Sequence, residues 1–554
     1  MSSANLRAVN GGEATRTARP IDQFSGRESA ELVIGFSGPL GCGLRTAVDH
    51  TTKALESAGY LVTAITLSEY IEKAIAGEFV KSSTKDTKGS EPAQRYVQLQ
   101  DGGNALRERF KTNDILAEWA VTRIAEIRTL DIKDREDPKA LEKHVPQKRA
   151  FLIKQLKHPD EVRLLRSVYR NLFFLVGVLS VETRRQKRLA DDGMTREEAV
   201  QLMERDRRET EEGDPKEIKA HGQQLEKTLE LADFFIRNDK PNTTSLSQQV
   251  SRFVELMHGA NGVSPTSEEF GMYIAYASKL ASACLSRQVG AAIVDEKGVV
   301  IGTGCNDVPR FGGGMYCAED GVNDARCVKR EGRRCWNDYY KDQLRDDVAR
   351  ELVRRELLDE AKAKEVADLV HDKTRVHDLI EFSRAVHAEM AAILAVARKG
   401  ASGLEGATLY TTTFPCHSCA RHIVAAGITR VVYVEPYERS LAVQLHDDAL
   451  TLDPDTPEAG PGQASTHRKV RFVHFEGVAP RRYAQMFLPV GERKKSGVAV
   501  MNPLSGSRKT LPEYLDAYQD FEAKVVRHWK DIGADLAAVA TQGGTGLTTE
   551  KSGA

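Results

Sequence analysis

Long apolar runs are missing from this chain of 554 residues. A membrane-spanning helix needs roughly 20 consecutive, mostly apolar residues, and no stretch qualifies. The start of the chain is polar and rich in Gly, Ser and Arg, unlike a secretory leader. The expectation is a cytoplasmic protein with no membrane partner. Cysteine is scarce, eight residues in all, too few for a disulfide framework in so long a chain. Seven of them fall between Cys284 and Cys419, a clustering that suits metal binding in a reducing compartment. Net charge is nearly absent at −1, so no global basic field announces nucleic acid. Aromatics make up only 6%, which argues against a stacking platform for single strands.

What is present divides the chain. The length suggests two to four domains. Residues 1–29 are polar and are expected to be disordered. Order is predicted from the apolar run at Leu32–Phe36, a buried strand. It enters a Gly-rich loop, Ser37 to Gly43, and a helical pattern follows. Strand, Gly-rich loop and helix is the context in which backbone N–H groups cradle phosphate. Gly38, Gly41, Gly43, Arg45 and Thr46 are the candidate nucleotide-binding residues, for ATP or another nucleotide. Leu44 stands where the phosphate-binding lysine is expected, so binding without turnover is one reading and a plain Gly-rich turn another. Further strands are predicted near residues 60–65, 149–153, 172–178 and 232–238. An Arg-rich helical pair between 182 and 208 looks like the lid of small nucleotide kinases. The kinase-like domain is placed at 30–255.

A second domain is placed at 268–490, with a polar insert at 308–373. A C-terminal extension with a disordered tail is placed at 491–554. In the second domain, His387-Ala388-Glu389 reads as H-x-E and Pro415-Cys416-His417-Ser418-Cys419 as P-C-x-x-C. These are the donor types of a catalytic zinc with three protein ligands, His387, Cys416 and Cys419. A bound zinc lowers the pKa of its water, and Glu389 is the candidate proton shuttle. Pro415 places the cysteines at a helix start, where the helix dipole favours thiolate. Hairpin, helix, strand, helix and strand in this order predict a three-layer α/β/α domain.

Ser282 to Ala291, Gly304-Cys305-Asn306-Asp307-Val308-Pro309, the two zinc motifs and Gly427 to Tyr433 resemble the deoxycytidylate deaminases. That resemblance implies hydrolysis of an amidine C–N bond on a free deoxynucleotide. It also makes Asn306 a substrate contact, and Arg287 and Arg439 phosphate candidates. With the degenerate Gly-rich loop upstream, the whole chain resembles the bacterial anti-phage dCTP deaminases. This family implies deamination of dCTP and dCMP, depletion of the cytosine deoxynucleotide pool, a regulatory first domain, an inhibitory small RNA and a homo-oligomer. Some relatives carry a structural zinc, which puts Cys284, Cys317, Cys327, Cys335 and His377 forward as a second site; free buried cysteines are the alternative. Two other functions stay open: a deaminase of RNA or single-stranded DNA, and a nucleotide- or RNA-sensing switch with the deaminase as its effector.

Overall fold

The computed structural model describes residues 28–80, 89–130, 132, 146–207, 209–211, 214–218, 220–239, 244–400, 403–437, 440–452, 469–488, 491–500, 511–515, 518 and 522–529. The first sheet is built on β1 (Leu32–Ser37), whose six residues are all buried. An unbroken apolar run of this kind suits a strand covered on both faces. It is flanked by β2 (Leu61–Thr66), β3 (Arg149–Lys154), β4 (Phe173–Leu179) and β5 (Phe234–Arg237). These strands are parallel in the order β5-β4-β1-β3-β2. The Gly-rich loop joins β1 to α1 (Leu44–Ser57). After β4 come α2 (Glu182–Asp191), α3 (Arg196–Arg207) and the short α4 (Leu225–Leu229). α5 (Thr244–Met257) closes the domain, its Val250, Phe253 and Val254 packing with Leu55 and Val48 of α1.

The second domain opens with α6 (Ser267–Lys279), started by a reciprocal cap between Thr266 and Glu269. Its strands are β6 (Gly290–Val294), β7 (Val300–Cys305), β8 (Thr408–Thr413), β9 (Arg430–Glu435) and β10 (Val470–His474). They lie in the order β10-β9-β8-β6-β7, with the short edge strand Leu450–Thr451 beyond β10. β6 pairs antiparallel with β7 and β8, while β8, β9 and β10 run parallel. Alternation along β6 sets the layers. Ala292 and Val294 face a core shared with Met272 and Ala275 of α6. Ala291 and Ile293 face a core with α9 (Ala388–Arg398) and α10 (His417–Ala425). The three-layer expectation therefore holds for this sheet. The insert is not featureless: it carries α7 (Trp336–Arg354) and α8 (Ala363–Lys373).

On the C-terminal side the chain passes from one sheet to the other. The last strand of the second domain's sheet in chain order is β10. Gly477–Val478 then pairs antiparallel with β5 and so extends the first sheet. The reason is electrostatic as well as backbone pairing. Buried Asp233 accepts from Arg166, Arg481 and Arg482, and these cations outweigh burial to hold its carboxyl down at about 2. The segment from 511 to 529 also returns to the first domain. Ser29 donates to the Glu513 carbonyl, Tyr518 donates to Glu31, and Arg128 bridges Glu31 and Glu522. Of the polar start expected to be disordered, residues 1–27 lie outside the described residues. The tail from 530 onward also lies outside them. Among the described residues, no helix is long and apolar enough to cross a membrane.

Candidate active site and metal centre

Two helix starts converge on one point. His387 is the N-cap of α9 and Cys416 the N-cap of α10. The Cys416 sulfur accepts the Cys419 backbone N–H at 3.4 Å, as expected of a sulfur at a helix N-terminus. His387 Nδ1 lies 3.3 Å from Cys416 Sγ and 3.4 Å from Cys419 Sγ. All three donor atoms fall within 4.8 Å of one another. Tetrahedral Zn–S and Zn–N bonds place such donors roughly 3.6 Å apart, so the set fits zinc.

α9 reaches this point because β7 lets it. A Cβ at Gly304 would collide with the Ala388 carbonyl and the Ala392 N–H of α9, and one at Gly302 would strike Val396. Glycine at both positions allows the helix carrying His387 and Glu389 to lie directly on the strand.

The donors also share protons in a pattern a cation would replace. Hydrogen bonds from Cys419 and His387 pull the Cys416 thiol down to about 4. The hydrogen bond to Cys416 lifts the His387 imidazole to about 9. Cys419 is pushed well up by its bond to Cys416 and by burial. Metal binding releases such protons. Glu389, on the first turn of α9, is buried, and its Oε2 accepts from Cys419 Sγ at 3.5 Å. Burial raises its carboxyl, which suits a group that must both take and give a proton.

His387, Glu389 and Cys416 line a cleft of about 970 Å³. Asn306 lines it, with both ends of its amide engaged. Its Nδ2 donates to the Arg287 carbonyl at 2.7 Å, and its Oδ1 accepts the Val289 N–H at 2.6 Å. Asn306 thus holds the loop from Ser282 to Val289 against the cleft. Arg287 pairs with Glu435 at 3.0 Å near the Tyr437 ring. Arg439 lies outside the described residues.

The residues put forward for a second zinc are not drawn together as the first set is, although Cys284, Cys327 and Cys335 line one small cavity. Among the described residues, His387, Cys416 and Cys419 are the one His, Cys, Asp or Glu group of metal-site size. Cys317 bonds Asp320, Cys335 lies 3.8 Å from Ser286 Oγ, and His377 pairs with Asp378. His377 instead lines the cleft, as do Lys341 of α7 and His371 of α8. Nothing in the local pattern puts Lys341 or His371 there, since each reads as a solvated helix residue. Glu226 of α4 lines the cleft too, so the first domain takes part in its wall.

The Gly-rich loop is occupied by the protein's own side chains. Gly41 and Gly43 take φ of +78° and +75°, the left-handed region that favours glycine. The Leu40 N–H donates to buried Asp206 at 2.8 Å. Lys157 donates to the Gly38 carbonyl and to both Asp206 oxygens. Arg185 and Arg188 donate to the carbonyls of Leu40 and Gly41. Gly38 and Gly43 stand at the two ends of this network, Arg45 is exposed and Thr46 is half-buried on the first turn of α1.

Comparison with known proteins agrees with the zinc centre. Residues 348–435 match the family model described as the cytidine and deoxycytidylate deaminase zinc-binding region. The deoxycytidylate deaminase of Enterobacteria phage T4 is 28% identical over 169 residues, 30% of this chain and 78% of that protein. That of Mycobacterium phage D29 is 53% identical over 49 residues, 9% of this chain and 36% of that protein. A solved dCMP deaminase from the cyanophage S-TIM5, in complex with dCMP and dUMP, is 19% identical, covering 33% of this chain and 93% of that one with a TM-score of 0.21. The C-terminal part of the chain therefore carries a cytidine and deoxycytidylate deaminase zinc-binding region and has phage deoxycytidylate deaminases among its homologues.

Proposed function

We propose that this protein hydrolyses the exocyclic C–N bond of free cytosine deoxynucleotides, dCTP and dCMP, giving the uracil nucleotide and ammonia. The observation that carries this reading is Glu389. It is a buried carboxylate that lines a nucleotide-sized cleft beside three convergent zinc donors. Held by His387, Cys416 and Cys419, zinc would lower the pKa of the water that attacks C4 of the base. Glu389 takes the proton of the attacking water and returns protons to the ring nitrogen and the departing amine. The wall from Ser282 to Val289, fixed by Asn306, positions the sugar. The phage homologues favour a deoxycytidylate substrate class.

A polynucleotide substrate fits less well, because the cleft mixes the acids Glu226, Asp338, Asp342 and Asp378 with only Arg287 and Lys341, whereas a nucleic-acid groove is predominantly basic. Depletion of dCTP as an anti-phage response, assembly as a homo-oligomer and inhibition by a small RNA complete the proposal. The first domain is regulatory in this reading. Leu44 replaces the lysine of phosphoryl transfer, and Asp206 already engages the Leu40 N–H.

The test is to incubate the zinc-loaded chain with dCTP, dCMP, CTP and cytidine in parallel and to quantify uracil products and ammonia. Turnover of the deoxynucleotides should vanish in Glu389→Ala while zinc stays bound. Normal turnover by that variant would remove Glu389 from the chemistry. Inert wild-type protein carrying zinc would overturn the free-nucleotide reading.

A further inference from the structure

The first domain presents one carboxylate, Glu226, to the deaminase cleft and carries a second, Glu230, nearby. Glu226 lies on α4 and Glu230 just beyond its end, four residues apart, a spacing that shares one helix face. Glu226 lines the same cleft as His387 and Glu389. Glu230 lies within electrostatic range of the second domain's Glu435, Arg287 and Lys279. Those three form one network, Glu435 taking Lys279 at 2.8 Å and Arg287 at 3.0 Å, and Arg287 lines the cleft.

Glu226 has a cation beside it. Arg207 NH1 lies 3.7 Å from its Oε1, while Arg207 NH2 pairs with Glu204 at 2.5 Å, so the cation is shared between the two carboxylates. Arg207 ends α3 and directly follows Asp206, the residue that engages the Gly-rich loop. One end of α3 therefore touches both the Gly-rich loop and the side chain that lines the cleft.

A carboxylate in the cleft wall repels phosphate in proportion to the phosphate's charge, and leaves an uncharged nucleoside unaffected. We propose that Glu226 is a specificity-determining residue of the deaminase cleft, supplied by the first domain, and that it discriminates among cytosine substrates by their number of phosphates. Arg207 offsets that charge, so the position of α3 sets the discrimination. This rests on the reading of the cleft as a deoxynucleotide site.

The test measures kcat/KM for deoxycytidine, dCMP and dCTP on the full zinc-loaded chain, in the wild type, Glu226→Gln, Arg207→Gln and the double variant. Glu226→Gln should raise the dCTP to deoxycytidine ratio at least threefold, with dCMP in between and deoxycytidine changed least. Arg207→Gln should lower the ratio, and should lose that effect when Glu226 is already Gln. Both shifts should shrink as salt rises, because the interaction is screened. If the nucleoside is not turned over, the dCTP to dCMP ratio carries the same test. Equal changes for all substrates would mark Glu226 as merely structural and overturn the inference, as would ratios constant within twofold. Absence of turnover for every substrate in the wild type would instead overturn the deaminase reading on which it rests.

Discussion

Replacing Arg128 with Met should unfasten the C-terminal segment from the first domain. The Arg128 guanidinium lies 2.9 Å from Glu31 and 2.6 Å from Glu522, with the three side chains 7%, 1% and 5% exposed. Tyr518 adds a hydrogen bond to Glu31 at 2.8 Å. The cluster holds one cation and two anions. Glu522→Gln leaves a one-to-one pair, and burial already pushes the Glu522 carboxyl up. The loss should therefore be about 1 kcal/mol, that of one hydrogen bond. Arg128→Met leaves two carboxylates in the interior with no cation, and stranding buried charge costs about 3–5 kcal/mol. Urea unfolding followed by tryptophan emission reads this directly, because Trp119 stacks on Tyr70 and Trp529 of the C-terminal segment packs on the same ring. The sign with pH is fixed. In Arg128→Met the folded state binds protons more tightly than the unfolded state, whose carboxyls titrate near ~4.3. The added stability is fully present below that value and is lost as pH rises through the raised folded value. The deficit should thus be largest at pH 8 and shrink toward pH 5. A deficit no larger than that of Glu522→Gln, or one independent of pH, would refute the reasoning.

Three other outcomes are expected. Gly304→Ala puts a methyl group against the backbone of α9; overpacking of this kind costs about 1–3 kcal/mol, and deaminase turnover should fall more than zinc content, measured side by side. Cys416→Ala should lose zinc and lower the melting temperature of the second domain, and a strong chelator should do the same to the wild type; a metal-free protein with unchanged melting would contradict this. His474 sits between the rings of Phe235 in the first domain and Tyr433 in the second. Burial, reinforced by Arg237, lowers its imidazole to about 4. Its stabilising share is present above the unfolded value of ~6.5 and is lost as pH falls through the folded value. Acidification from pH 7 to 4 should therefore destabilise wild type more than His474→Phe, a difference that melts across that pH range would reveal.

The parts of this molecule legible in its sequence are those with few physical solutions. The run Leu-Val-Ile-Gly-Phe at β1 admits little besides a strand buried on both faces, and it is one. His387, Glu389, Cys416 and Cys419 were legible because few side chains can hold zinc and move protons at that spacing, and the described residues bring them together. Long-range placement left no such trace. Gly477–Val478 is too short for any period, yet it crosses from the second domain to pair with β5. Tyr518 and Glu522 look like a polar tail until Arg128, about 390 residues earlier, is placed between two carboxylates. Lys341 and His371 read as solvated until the insert folds over the cleft.

The Gly-rich loop is the instructive middle case. Glycine is required where a backbone must approach a phosphate, and equally where it must approach another backbone. A Cβ on Gly41 would meet the Arg185 carbonyl at 2.8 Å, and one on Gly43 would strike the Asn238 amide. Close packing of α2 and of the end of β5 onto the loop is thus enough to demand both glycines. The sequence pattern is the same whether the anion at the Leu40 N–H is a phosphate or Asp206, 166 residues away. What distinguishes the two is the company of the carboxylate. Lys157 neutralises Asp206 and also caps the Gly38 carbonyl, so the loop, the end of α3 and the strand end before Lys157 form one closed electrostatic unit. A ligand phosphate would have to displace a buried, paired carboxylate to enter it, one that sits on the same turn of α3 as Arg207.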